Sequence, residues 1–295
     1  MKKFYLLLVF FSLAAIVADA QSFYAVRREK SLILLLGTGS SSYFGELKNK
    51  NSIDPKLNID LGLQYYITDR ISLRSEVTWF NLKGDDKDAD DESRRRRNLS
   101  FKSSNFEVNV TGAVNLWANG NRYYRRPGFN LYGFAGVGYL FFNPKAELNG
   151  TSYALQPLMT EGKKYSKSTI VIPFGLGARI KVGPSVNLAV EGGYRKTFTD
   201  YLDDVSTVYQ DPANYISPLA AALGNRNIDN EGNPNPTAGA AGRQRGDPSH
   251  KDSYFTLNLK LEYYLPGDIQ LFGQGKPGYR KRSSFSRYRG GRIRR

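Results

Sequence analysis

Residues 71–80 read ISLRSEVTWF, and the order of residue types in that stretch decides the fold. Ile71, Leu73, Val77 and Trp79 share one face of an extended chain, and Ser72, Arg74, Glu76 and Thr78 share the other, because successive strand side chains point to opposite sides. The same pattern recurs along the sequence. Leu57, Ile59, Leu61, Leu63 and Tyr65 oppose Asn58, Asp60, Gly62 and Gln64; Phe106, Val108, Val110, Val114 and Leu116 oppose Glu107, Asn109 and Thr111. Near the C-terminus, Phe255, Leu257, Leu259, Leu261 and Tyr263 oppose Thr256, Asn258, Lys260 and Glu262. Blocks of about ten residues, apolar on one face with aromatic ends and polar on the other, fit strands with lipid outside and a polar interior.

Eight such blocks begin near Ser31, Leu57, Ile71, Ser104, Phe129, Thr169, Val186 and Ser253; the first and fifth are apolar or Gly-rich on both faces, which leaves their orientation open. The links over 68–70, 118–128 and 183–185 are short, and the links between the other blocks are long. Strict alternation of turns and loops is the habit of outer-membrane barrels, and it places both termini in the periplasm and the long loops outside the cell. The expected fold is therefore all-β: an eight-stranded antiparallel transmembrane β-barrel of outer-membrane type over residues 31–265, with long extracellular loops and a basic periplasmic C-terminal tail. Closure removes the strand edges that lipid would not tolerate.

The N-terminus pairs Lys2 and Lys3 with an apolar run from Phe4 to Val17 and an Ala18-Asp19-Ala20 cleavage site, so residues 1–20 read as a signal peptide and 21–30 as a periplasmic lead-in. No other stretch approaches the roughly 18 apolar residues of a spanning helix. With a mean hydropathy of -0.47, a membrane protein of this composition is a barrel. The localisation expected is the cell outer membrane, with outer-membrane lipid as the first partner.

An eight-stranded barrel is just wide enough to be filled by its own side chains. The inward list carries Asp60, Glu76, Glu107, Glu191 and Glu262 against Arg74, Arg179, Lys181, Arg195 and Lys260. Because isolated buried charges cost several kcal/mol each, these are expected to form a self-neutralising plug of interior ion pairs. Pro173 cannot donate to a ladder and is expected at a bulge or at the rim.

The loops add little chemistry. Asp85, Asp86, Asp88, Asp90, Asp91 and Glu92 precede Arg94–Arg97, a combination expected as a solvated hairpin. As a calcium loop it fails, since Asp91 stands where the Gly and Arg97 where the Glu of the twelve-residue pattern belong. Loop 199–252 is long, and its centre, 224–248, rich in Asn, Gly, Pro and Ala, is expected to be disordered. Cysteine is absent and His250 is the only histidine, lying beside Ser249 and Asp252 in this loop. Adjacent residues on a floppy segment make no preorganised triad, and one His without Cys offers no zinc ligand set. We therefore expect no catalytic residues, no cofactor and no metal. The glycines at 37–39 and 133–138 lack the Lys-Ser/Thr ending of a phosphate loop.

The net charge is +15, and residues 266–295 supply +8 of it, with nine Lys or Arg against Asp268 alone. Lys276, Arg280, Lys281, Arg282, Arg287, Arg289, Arg292, Arg294 and Arg295 form the candidate partner-binding segment, expected to meet an acidic periplasmic protein. Arg289-Gly290-Gly291 looks like an RNA-binding element, but an exported tail meets no nucleic acid.

Two segments carry a family resemblance. Gly39 through Leu47, with Ser42-Tyr43-Phe44-Gly45-Glu46-Leu47 after the first strand, and the run from Tyr194 to Ser206, with Asp200, Tyr201, Asp203 and Asp204, resemble the PorG-like outer-membrane barrels of Bacteroidota. The resemblance implies a small, non-enzymatic barrel associated with the type IX protein secretion and gliding machinery, contacting its periplasmic components. It brings no catalytic residues. A stand-alone OmpA-like envelope or adhesion barrel is the alternative, and a narrow porin is disfavoured by the filled interior.

Overall fold

A computed structural model describes residues 31–47, 56–120 and 122–265. The expected signal peptide (1–20), the expected lead-in (21–30) and the basic segment 266–295, with its candidate partner-binding residues, lie outside the described residues. Eight long strands carry the alternation: β1 (Leu32–Phe44), β2 (Lys56–Tyr66), β3 (Ile71–Asp85), β4 (Ser100–Asn115), β5 (Phe129–Phe141), β8 (Ser168–Lys181), β9 (Val186–Thr197) and β10 (Ser253–Tyr264). Two short strands, β6 (Pro144–Leu148) and β7 (Thr151–Ala154), form a hairpin in the link between β5 and β8. Each long strand pairs antiparallel with its neighbour, in the order β3-β2-β1-β10-β9-β8-β5-β4, and pairing of β3 with β4 closes the ring. The result is a closed, eight-stranded antiparallel barrel of outer-membrane type. Among the described residues no helix is long and apolar enough to cross a membrane.

The alternation sorts the two faces. Leu259 is 50% exposed and its neighbour Asn258 only 2%, and the same holds around the ring, where Leu57, Ile59, Val77, Val110, Val137, Leu176 and Val190 all face outward. In water such a belt would be a severe liability; in lipid it is the favourable face. The two ambiguous strands both turn large apolar side chains inward. β1 turns Ile33 and Leu35 inward, where they pack with Tyr66 and Tyr264 at the turn end of the lumen. In β5, Asn130, Tyr132, Phe134 and Leu140 face inward.

Four features depart from the sequence reading. β4 starts at Ser100 rather than Ser104, because β3 and β4 continue pairing to Asp85↔Ser100. Fifteen and sixteen residues exceed the 9–11 that span a bilayer, so the pair rises above the belt as a hairpin. This hairpin is not simply solvated: Asp86 is fully buried, and its tip folds into helix α1 (Glu92–Arg97), capped by the Asp91 side chain accepting from the Ser93 N–H. Pro173 makes no bulge. β8 pairs with β5 at Ala135↔Phe174 and resumes at Gly138↔Val171 in the same register, so the ladder skips two positions where Pro173 cannot donate.

Loop 199–252 is folded, against the expectation of disorder at its centre. It contains helix α2 (Pro218–Gly224), and it delivers Leu202, Val205 and Leu223 into an apolar layer with Tyr43, Leu82, Phe101, Leu140 and Phe142. Its Asn and Gly residues make turns that satisfy the backbone: the Asn225 amide donates to the Pro236 and Gly239 carbonyls at 2.9 and 3.1 Å. The loop is thus a lid seated on the loop end of the barrel, with an apolar layer beneath it.

Candidate functional site

The lumen holds a charged ring. Arg74 donates from Nη1 to Glu191 Oε2 at 2.6 Å and lies 3.1 Å through Nε from Glu76; Lys260 Nζ reaches Glu76 at 2.5 Å and Glu191 at 2.9 Å. The guanidinium of Arg74 also sits 4.8 Å from the Phe134 ring centre, and that of Arg179 4.1 Å from Tyr132. Arg179 lies 3.2 Å from Glu262, and Arg195 is farther from Glu107, at 3.9 Å. Asp60 accepts from the Asn258 amide at 2.5 Å rather than from a base. Lys181, counted inward by parity, is not in the lumen: at the turn end its Nζ donates to the Tyr124 carbonyl, partly in solvent. Arg126, which sequence reasoning missed, closes that end instead, stacked 4.4 Å over Tyr264 and donating to the carbonyls of Tyr123, Gly183, Pro184 and Val186. The cavity left there is about 30 Å3, room for a water molecule rather than a pathway.

Above the apolar layer the two motif segments converge, although Tyr43 and Asp203 are 160 positions apart. β1 ends with Tyr43 aimed into the lid, its hydroxyl within hydrogen-bond distance of Asp203 Oδ2 at 2.8 Å and Asp252 Oδ1 at 2.5 Å, with one proton to give to either. Asp252 stands immediately before β10 and takes the Leu202 N–H on its other oxygen at 2.9 Å, while Asp203 takes the Val205 N–H. Glu46 enters from the first loop, and carboxylate oxygens of Glu46, Asp200 and Asp252 lie within 4.8 Å of one another. Gly45 between them has no alternative: a Cβ there would stand 1.9 Å from the Tyr43 hydroxyl and 2.0 Å from Asp252 Oδ1. Phe44 lies outside this group, its ring tilted 6.5 Å from Tyr194.

Burial and mutual repulsion shift the acids. Desolvation, reinforced by Asp200, pushes Glu46 up to about 7, and desolvation pushes Asp200 up to about 6. Asp203 and Asp252 are raised well above the carboxylate range, first by burial, with each other's or Glu46's charge adding to it.

Asp204 turns the other way, in the left-handed region at φ 69°, and anchors a neighbouring network. It accepts from Thr160, and from the Tyr165 hydroxyl at 2.7 Å, with Arg245 3.7 Å away. Arg245 in turn pairs with Glu161 at 2.8 Å, and Tyr165 stacks on Tyr201 at 4.5 Å. Burial raises Asp204 to about 6 despite Arg245. Asp252, Glu161 and Arg245 were not legible as partners in the sequence, apart from the position of Asp252 at the strand start. On the hairpin, Asp86 binds Arg97 at 2.7 Å and the Leu99 N–H at 3.1 Å, holding α1 against the lid.

His250 forms no relay. Asp247 Oδ2 at 2.7 Å and Ser249 Oγ at 3.0 Å both contact its Nδ1, whereas a nucleophile-base-acid triad uses both ring nitrogens.

The family is shown by its model, the domain of unknown function DUF6089, which matches residues 6–226. The chain belongs to this family. No curated protein matches the sequence. Among solved structures, Neisserial surface protein A is similar at 9% identity, covering 79% of this chain and 97% of that one with a TM-score of 0.40. A major outer membrane protein from Thermus thermophilus is similar at 13%, covering 80% and 99% with a TM-score of 0.40. The outer membrane enzyme PagL is similar at 12%, covering 77% and 97% with a TM-score of 0.31. These likenesses concern the fold alone.

Proposed function

We propose that this DUF6089 chain is a non-enzymatic outer-membrane barrel that works as a docking component, accessory to a protein secretion machine of the type IX kind, rather than as a pore. One observation carries the docking reading: the lumen is filled by the Arg74-Glu76-Lys260-Glu191 ring, and a folded lid and Arg126 lie over its two ends. A barrel so filled offers its surfaces, not its interior. The secretion assignment rests on the motif resemblance at 43–46 and 194–206, and on the nine bases of 266–295, which on this reading face the periplasm and an acidic partner. The test is co-purification from detergent-solubilised outer membranes, and secretion in cells, for the full chain and for a chain lacking residues 276–295. Loss of partners and of secretion on truncation is the expected result. Unchanged binding and secretion would remove the tail as the docking element, and the absence of any secretion component in either sample would favour a stand-alone OmpA-like envelope barrel.

A further inference from the structure

We propose that Glu46, Asp200 and Asp252 form a divalent-cation site of the calcium class at the point where the lid meets the end of β1. Their oxygens lie within 4.8 Å of one another. Three oxygens at that mutual distance lie at most about 2.8 Å from a common centre, so a shift of a few tenths of an ångström brings all three to the 2.3–2.6 Å Ca–O distance.

Clustered acids alone would not establish a site; the second observation is that two of the three carry a buried oxygen with no partner. Asp200 is only 2% exposed, yet its Oδ1 has no hydrogen-bond partner, its other oxygen being occupied by Ser206. Glu46 Oε2 is likewise buried and without a partner, while its Oε1 takes the Asp247 N–H. Among the described residues, no Lys, Arg or His side chain makes an ion pair with Glu46, Asp200, Asp203 or Asp252. Arg97, whose charge is felt at Glu46, is held by Asp86 and by the Arg245 carbonyl. Elsewhere among the described residues buried carboxylates receive a base or an amide: Glu191 has Arg74 and Lys260, Glu161 has Arg245, and Asp86 has Arg97. Glu46, Asp200 and Asp252 converge with no base among the described residues paired to any of them, and a bound cation would offset their charge.

The donor set selects the class of ion. All three side chains offer hard oxygen, and neither Cys nor His stands among them, which favours calcium over zinc or copper. A cleft of about 970 Å3 opens beside Glu46, between Gly45, α1 and Gly246; Glu46 is the one ligand that lines it, and arginines of α1 and the lid line it too, so water can reach the site from the Glu46 side. The Gly45 backbone passes so close to Tyr43 and Asp252 that no side chain fits there, so main chain forms that wall of the site. An ion there would tie three separate segments, the β1 end, the start of loop 199–252 and its finish before β10.

Terbium is the probe, in the full chain refolded in detergent micelles and stripped with EDTA, because the Tyr43 ring adjoins the site and sensitises bound Tb3+. Tyrosine-excited Tb3+ emission that calcium displaces and potassium does not is the expected result. The Glu46→Gln/Asp200→Asn variant should weaken apparent affinity at least tenfold, with heat-modifiable gel migration showing the barrel folded. Should that double variant fail to fold, Glu46→Gln alone, at the edge of the cleft, reads the same loss. Replacing Asp88 and Asp90 by Asn in the exposed acidic run should leave the emission unchanged. The proposal is overturned by an absence of sensitised emission in the unaltered chain, by equal emission from the Glu46→Gln chain, or by loss of emission in the Asp88/Asp90 variant instead.

Discussion

At the scale of single residues, the lid is governed by carboxylates held where they are costly to ionise. Asp204 is the clearest case: buried, it faces Thr160, Tyr165, Arg245 and Glu161. Folding raises it to about 6, while an unfolded Asp titrates near 3.9. Between those values the folded lid binds more protons than the unfolded one, so lid stability increases as pH falls from about 7 to about 4 and declines again on the way up. In EDTA, hydrogen exchange over 199–252 should therefore be slower at pH 5 than at pH 7.5 after correction for intrinsic rates, by an amount on the order of 1–3 kcal/mol. Asp204→Asn should flatten part of that dependence; Asp200 and Glu46, shifted in the same direction, supply the remainder. A pH profile unaffected by the Asn substitution would mean that Asp204 ionises in the folded lid as easily as in the unfolded one.

At the scale of elements, legibility in the sequence followed period. In β10 one residue in two is polar, and the alternation alone placed Thr256, Asn258, Lys260 and Glu262 inside. In β1 both faces are apolar, so nothing in the sequence could say that Ile33 and Leu35 line the lumen; the register against β2 and β10 decides it. The hairpin top shows a different failure. An acidic run beside a basic run looks like a solvated surface, and which acid is buried depends on the turn that aims Asp86 at Arg97 and the Leu99 N–H. Loop 199–252 misled for a related reason: Asn and Gly mark disorder in a composition and turns in a fold. The motif residues at 43–46 and 200–204 were visible as stretches, but their meeting with Asp252 is a contact across 209 positions that only closure of the barrel creates. The register itself can be tested on β10. Leu259→Arg should cost about 2–4 kcal/mol near mid-membrane, whereas Thr256→Ser, which keeps the hydroxyl that accepts from Arg195, should cost about 1 kcal/mol or less. Urea unfolding in micelles measures both, and equal losses would place the strand one residue out of register.

At the scale of the whole molecule, three layers lie between the two ends of the lumen: the tyrosine and Arg126 closure at the turn end, the charged ring in the middle, and the apolar layer under the lid. They are not equivalent barriers to an ion. The lid is a surface element held by hydrogen bonds and a few apolar contacts, and lids of that kind open locally without the rest of the fold. The charged ring consists of side chains fixed on separate strands, β3 (Arg74, Glu76), β9 (Glu191) and β10 (Lys260), with Tyr132 of β5 donating to Glu191 at 2.9 Å. Opening it means separating buried opposite charges, each separation costing several kcal/mol. The ring, not the lid, is thus the barrier that counts. Reconstituted in planar bilayers, the full chain should show no stable open channel, and a chain in which residues 203–249 are replaced by a short Gly-Ser linker should show none either, provided gel migration confirms its barrel. Stable conductance from the full chain would sink the plug and restore the porin reading. Conductance from the shortened chain alone would make the lid the gate, with the ring a rearrangeable filter beneath it.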